Sequence, residues 1–221
     1  MNTNALINNI GTVYGVALND QDERLALNNE FSLKPYLAAP KAPVLYIKTR
    51  NTFALPGAAV VIGNHAIKID ATVGLVMARD AKSLSLDNAL AAVESYVIVS
   101  DLTIAHQSYY RPAIAQRCQD GFCPMSDRIA PPQGFELNQS KIRTYVNNQL
   151  VHERSFARLV RPLEQLLVDV TEFMTLSKGD VLLVGLPHQA PLARAGDTVK
   201  IEVSGLGSLV HTLVLSDGVS A

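Results

Sequence analysis

The sequence predicts an α+β, mainly β domain, and three observations carry that expectation. Short runs rich in Val, Ile, Leu and Tyr recur along the 221 residues, most ending at Gly, Pro, Asn or Asp, as strands do. Only two stretches carry helix signals. No regular alternation of strand and helix runs through the chain, which argues against a doubly wound parallel sheet. With 48% hydrophobic and 18% charged residues, the chain has the apolar content for a sizeable core. One domain spanning 1–221 is therefore expected, with about residues 1–50 forming a small N-terminal lid or appendage.

In chain order the expected strands are TVYGVAL at 12–18, PVLYIK at 43–48, AAVVIG at 58–63 and TVGLVMA at 72–78. YVIVS at 96–100, KIRTYVN at 141–147, VLLVG at 181–185 and TVKIEV at 198–203 complete the set. Asn147-Asn148 separates two alternating stretches between residues 141 and 151, and Asn tolerates the positive φ of a tight turn, so a hairpin is expected there. The first expected helix is SLDNALAAVESY at 85–96, with Ser85 or Asp87 as its cap. The second starts at Pro162, suited to a first helical position. Leu163, Leu166, Leu167, Val170 and Met174 then follow at helical spacing, before Lys178-Gly179-Asp180 closes it.

Charge excludes one large class of function. The formal net charge is −1 and the 19 Lys and Arg are scattered, so no basic field for a phosphate backbone exists and nucleic acid is not an expected partner. MNTNALINNIG at the N-terminus lacks a basic region followed by an apolar stretch, and no run approaches the roughly 18 apolar residues of a membrane span. A soluble, cytoplasmic protein with no membrane partner is the expectation. Cys118 and Cys123 are the only thiols and are expected to be free. The five histidines show no ligand-like spacing, so no zinc site is expected.

Two segments are more specific than pattern: YYRPAIAQRCQDGFCPMSDRIAP at 109–131, and EFMTLSKGDVLLVGLP at 172–187 followed by AGDTVKIEVSGLGSLVHTLV at 195–214. Together with GVALN at 15–19, YIKTRNT at 46–52 and YVIVSDLT at 96–103, they resemble the fumarylacetoacetate hydrolase superfamily from about Thr12 to Val214. YYRPAIAQRCQDGFCP points further, to the N-terminal half of the bifunctional isomerase/decarboxylases of homoprotocatechuate (4-hydroxyphenylacetate) degradation. The resemblance implies a mixed β-sandwich roll around a cleft that holds Mg²⁺ or Mn²⁺. A 2-oxo acid chelates such an ion through its carboxylate and keto oxygen, and the ion stabilises the enolate formed when CO₂ or a proton leaves.

Members with an intact site carry Glu-x-Glu on one strand and an Asp about thirty residues later, a step of two placing both carboxylates on one face. In this chain Asp70 stands at the first Glu and Thr72 at the second, while Asp101 matches the third ligand. Two carboxylates and a hydroxyl offer a hard cation far less than three carboxylates, so weak metal binding or none is expected. Arg117 stands where a Lys commonly precedes the family's S-x-D-G segment. It suits carboxylate binding and not proton shuttling, with a surface arginine as the alternative.

The family's His-x-x-Glu dyad falls near DQDERLA, which has no histidine. Asp20, Asp22 and Glu23 are read there as a solvated charge cluster. The Gly-Thr-Pro turn reads Gly185-Leu186-Pro187. Lys48, Asn51, Thr52, Tyr110 and Arg111 match segments that line the cleft in relatives and are the candidate wall for a tricarboxylic substrate, against the bland reading of a turn with solvated charges.

The resemblance thus implies a subunit of 5-oxopent-3-ene-1,2,5-tricarboxylate decarboxylase / 2-hydroxyhepta-2,4-diene-1,7-dioate isomerase, working as a homodimer or as a heterodimer with a sister subunit. The alternative is a catalytically degenerate structural partner of a metal-binding sister. A domain recruited to another small 2-oxo acid is a third reading.

Overall fold

The computed structural model describes residues 9–106 and 112–216. All eight runs expected as strands are strands. In chain order the strands are β1 Val13–Ala17, β2 Val44–Lys48, β3 Phe53–Ala54, β4 Ala59–Ile62, β5 Ile67–Met77, β6 Val93–Ile104 and β7 Cys123–Pro124. They continue as β8 Lys141–Val146, β9 Gln149–Ser155, β10 Val181–Leu183, β11 Leu192–Ala193, β12 Thr198–Val203 and β13 Gly207–Leu215. Four α-helices lie among the described residues: α1 Gln21–Ala26, α2 Asn28–Phe31, α3 Ile114–Arg117 and α4 Leu163–Phe173.

One sheet runs β11-β5-β10-β1-β2, with β6 pairing the free side of β5, and a second runs β4-β13-β12-β8-β9. The short pair β3-β7 lies apart from both. The first 50 residues supply β1 and β2 to the larger sheet, and α1 and α2 sit between those strands in sequence.

The eleven residues of β5 explain both the core and the site. Successive side chains on a strand point to opposite faces. Ile67, Ile69, Ala71, Val73, Leu75 and Met77 therefore enter the main apolar cluster with Ile98, Leu102, Ile201 and Leu213. The other face carries Lys68, Asp70, Thr72, Gly74 and Val76, and Val76 joins a second cluster with Val97, Val99, Cys123 and Val181. Both faces being covered, β5 reads in sequence as a nearly continuous apolar run interrupted only where the polar residues cluster.

The expected hairpin forms between β8 and β9, with Asn147 at φ 50° and Asn148 at φ 66°. In α4 the residues Leu163, Leu166, Leu167 and Val170 are buried, and Pro162 is its N-cap, one position earlier than expected. The helix expected over 85–96 is not there. Ser85 and Asn88 close a local turn through Ser85 N–H to Asn88 Oδ1 at 3.0 Å, and only Leu90–Ala92 makes one 3₁₀ turn. From Val93 the chain is strand, held to β5 from Val93↔Met77 to Ile104↔Ile67. The local side-chain bond and the long antiparallel ladder outweigh the helix propensity of the intervening Ala and Leu residues. Among the described residues no helix is long and apolar enough to cross a membrane. Cys118 and Cys123 are free thiols.

Candidate functional site

Asp70 and Asp101 are direct cross-strand partners in the β5–β6 ladder, and both are fully buried. Like charges placed opposite one another repel, and a buried carboxylate must be compensated, so the neighbouring groups decide whether this pair survives. Arg117, at the end of α3, lays its guanidinium across both: Nη1 lies 3.2 Å from Asp101 Oδ2 and Nη2 3.2 Å from Asp70 Oδ2. Lys48 Nζ lies 2.9 Å from Asp101 Oδ1, and Lys68 Nζ 3.2 Å from Asp70 Oδ1. Among the described residues those two Oδ1 atoms make no aligned hydrogen bond, and the lysines compensate them ionically. Thr103 Oγ1 donates to Asp70 Oδ2 at 3.2 Å.

Tyr46 completes the arrangement. Its hydroxyl donates a hydrogen bond to Asp101 Oδ2, and its ring lies under the Arg117 guanidinium with the centroid 4.7 Å from Cζ. The ring crosses the sheet over Gly15, its register partner on β1. A Cβ on Gly15 would sit 2.0 Å from Tyr46 Cζ, so that position has room for hydrogen only. Burial and the adjacent Asp101 charge push the Tyr46 phenol well above its usual value. At Asp101 burial works to raise the pKa, but Lys48 and Arg117 outweigh it and hold the carboxyl below the ordinary range.

Lys48 is 1% exposed and is also held by the carbonyls of Leu102, at 3.3 Å, and Arg117. A lysine so enclosed is held in place against Asp101 and is not free in solvent.

Thr72 lies two residues along from Asp70 on the same face, but its hydroxyl donates to Gly185 O at 2.7 Å. The same carbonyl accepts from Arg154 Nη2 at 2.8 Å, and Arg154 Nη1 pairs with Asp20 Oδ2 at 3.3 Å. Asp20 also caps α1, its Oδ1 accepting from the backbone N–H of Asp22 at 2.9 Å and Glu23 at 3.0 Å. The reading of residues 20–23 as a solvated cluster is corrected accordingly: Asp20 and Glu23 are buried, and only Asp22 is exposed, paired with Arg158. Asp20 is buried because it closes the helix N-terminus and meets an arginine from the other sheet, both of which stabilise its charge.

The site is thus a buried polar layer. Among the described residues it gathers four carboxylates, Asp20, Glu23, Asp70 and Asp101, against the buried Lys48, Arg117 and Arg154 and the part-exposed Lys68 at its edge, with a formal sum of zero. That balance does not fit a divalent cation. Both Oδ2 atoms face Arg117, both Oδ1 atoms face lysines, and the Thr72 proton is committed to a carbonyl. Hard cations need about six oxygen donors carrying net negative charge. Among the described residues no three His, Cys, Asp or Glu side chains form a set that could hold a metal ion.

A cleft of about 360 Å³ opens onto Tyr46 and Arg117; Leu45, Ile47, Pro112 and Ile114 give it apolar walls, and His106 and Cys118 also line it. Of the candidate residues from sequence, the structure brings together Lys48, Asp70, Asp101 and Arg117. Asn51 is exposed and ties the turn after α3, donating to Asp120 Oδ1 at 2.7 Å and Cys118 O at 3.0 Å. Thr52 is buried, with its hydroxyl on Thr49 O at 2.7 Å. Asn51 therefore ties two turns together and Thr52 closes its own, both beside the site. Tyr110 and Arg111 lie outside the described residues. Tyr46, Lys68 and Arg154 were not singled out in sequence. Tyr46 and Lys68 each sit two residues from a candidate on the same strand, which was the available signal. Arg154 carries no comparable local mark.

The chain matches the Fumarylacetoacetate (FAA) hydrolase C-terminal family over residues 12–214. It is 34% identical over 208 residues to the 4-hydroxyphenylacetate degradation bifunctional isomerase/decarboxylase of Salmonella dublin, an alignment covering 94% of this chain and 48% of that protein. The Escherichia coli protein of the same description is 32% identical over 205 residues, covering 92% of this chain and 47% of its own length. The chain thus spans about half the length of the curated relatives it matches. Among solved structures, 5-carboxymethyl-2-hydroxymuconate delta-isomerase from Mycobacterium smegmatis superposes with a TM-score of 0.76 at 23% identity, over 94% of this chain and 78% of that one.

Proposed function

The chain belongs to the fumarylacetoacetate hydrolase family, and from that premise we propose that it serves an isomerase/decarboxylase of aromatic-compound catabolism as the half that supplies structure while a sister subunit supplies the chemistry. One observation carries this reading. The two carboxylates that the resemblance assigns to the family's cation position, Asp70 and Asp101, are bridged by the chain's own Arg117. A divalent ion chelating a 2-oxo acid needs that position open, because the ion must accept the substrate's carboxylate and keto oxygen while the protein neutralises it from behind. Arg117 also keeps its proton at any ordinary pH, so it is poorly suited to the acid–base step that accompanies isomerisation. The sister subunit would carry Glu-x-Glu and the distant Asp, and the pair would act on 5-oxopent-3-ene-1,2,5-tricarboxylate or the derived hydroxyheptadienedioate.

The deciding experiment assays decarboxylation and keto–enol isomerisation by the purified chain with Mg²⁺ or Mn²⁺, alone and then with a co-expressed sister subunit. The chain alone should show no turnover above the metal-ion background, and the mixture should turn over. Robust activity of the chain free of any partner would sink the proposal.

A further inference from the structure

We infer that Arg117 is a built-in replacement for the family's divalent cation: its guanidinium takes the position between Asp70 and Asp101, and its presence, more than the loss of a ligand at Thr72, keeps a divalent ion out. This deepens the proposed function and rests on it for the identity of the position, while the test below reads ion binding by the isolated chain and is indifferent to any partner.

The geometry separates two explanations that look alike in sequence. If the only defect were Thr72, the carboxylates would stand open with an incomplete donor set. Instead each Oδ2 atom lies 3.2 Å from a different Nη of one guanidinium. Tyr46 holds that guanidinium from below, with its centroid 4.7 Å from Cζ, and fixes Asp101 through its hydroxyl. Gly15 leaves the space that lets the Tyr46 ring lie there. Arg117 is 7% exposed, so its charge is committed to the interior.

The charge count points the same way. Asp70 and Asp101 face Arg117, Lys48 and Lys68, three cations against two anions. Restoring a carboxylate at 72 brings that set only to neutrality, with the guanidinium still in place. Restoring it and removing the guanidinium leaves one net negative charge and an open position.

The test is calorimetric titration of Mn²⁺ into metal-free protein at neutral pH, for wild type, Thr72→Glu, and Thr72→Glu combined with Arg117→Met. Wild type and Thr72→Glu should give no binding at millimolar Mn²⁺, and wild type should melt at the same temperature with Mn²⁺ as with EDTA. The double variant should bind with a Kd at least about tenfold below the millimolar concentration at which Thr72→Glu shows no binding, as expected for removing a like charge a few ångströms away. Equal binding by Thr72→Glu and the double variant would overturn the inference, because the missing ligand alone would then explain the sequence. Binding by wild type, or by none of the three, would overturn it too. Should the double variant not fold, Thr72→Glu with Arg117→Gln, which keeps a polar side chain of similar reach, is titrated in its place with the same two readings.

Discussion

Replacing Arg117 by Met should cost the fold about 3 kcal/mol, and the number follows from what the guanidinium leaves behind. Its two contacts at 3.2 Å to Asp70 and Asp101 are buried. At an effective dielectric of about 20 each is worth on the order of 5 kcal/mol gross. Burying the guanidinium itself costs several kcal/mol, which the variant recovers. Removing one partner of a buried pair costs roughly 3–5 kcal/mol when the other is stranded. Here Lys48 still faces Asp101 at 2.9 Å and Lys68 still faces Asp70 at 3.2 Å, so the low end applies. For a domain of this size, about 3 kcal/mol lowers Tm by roughly 6–12 °C. Thermal melts followed by circular dichroism at pH 7 and at pH 4 make the assay.

The second pH gives the sign. In the wild type Asp101 is held below its ordinary value of 3.8, so its contribution is present above about pH 4 and lost as the pH falls through the folded value. In the variant Asp101 loses one of the cations that hold its pKa down and takes up its proton at higher pH. The gap between wild type and variant should therefore narrow from pH 7 to pH 4. A Tm within about 2 °C of wild type at pH 7, or a gap that widens in acid, would refute the placement of the guanidinium between the carboxylates.

Two further outcomes follow. Gly15→Ala should destabilise by about 3 kcal/mol or more, since the new Cβ would meet Tyr46 Cζ at 2.0 Å and drive the ring off Asp101. Urea titrations of both variants make the assay: Tyr46→Phe, which loses only the hydrogen bond, should cost less than Gly15→Ala, and an alanine variant at 15 as stable as wild type would show that the ring does not lie over Gly15. His211, fully buried with Nε2 2.9 Å from Ser100 Oγ, has its pKa lowered by burial from 6.5 to about 4. The native state then binds fewer protons than the unfolded chain between those values, so stability is full above pH 6.5 and falls by up to about 3 kcal/mol as the pH drops to 4. His211→Gln should flatten that part of the pH profile, and an unchanged slope would remove His211 as its source.

Periodicity exposed the sheets well and the polar layer poorly. β5 and β6 were legible because residues buried on both faces give runs that few other structures produce. The β8–β9 hairpin was legible because Asn147 and Asn148 both adopt positive φ, at 50° and 66°. Residues 85–96 misled because Ala89, Leu90, Ala91 and Ala92 favour a helix locally, while Val93 to Tyr96 belong to a ladder whose partner lies some twenty residues away in β5. Within the site, Asp70, Thr72, Asp101 and Arg117 were visible only through the family's spacing. Asp20 and Arg154 were invisible because their contact joins positions 134 residues apart. No local window contains both, and each alone reads as an ordinary surface charge.

A tethered guanidinium and a divalent ion solve the same electrostatic problem with different consequences. A free ion must be captured, so part of the fold's stability depends on its concentration and on ligand protonation. Arg117 arrives with the chain as a permanent cation, so on the proposed reading it compensates the Asp70–Asp101 pair, together with Lys48 and Lys68, whenever the protein folds. The exchange gives up something specific. An ion can accept a substrate's carboxylate and keto oxygen as ligands, whereas a guanidinium offers only hydrogen bonds and carries one positive charge. Keeping the charge balance of the β5–β6 ladder while giving up chelation is what a subunit retained for its fold would need, and it accounts for Tyr46, Gly15 and Lys48 being organised around the arginine instead of around an open position.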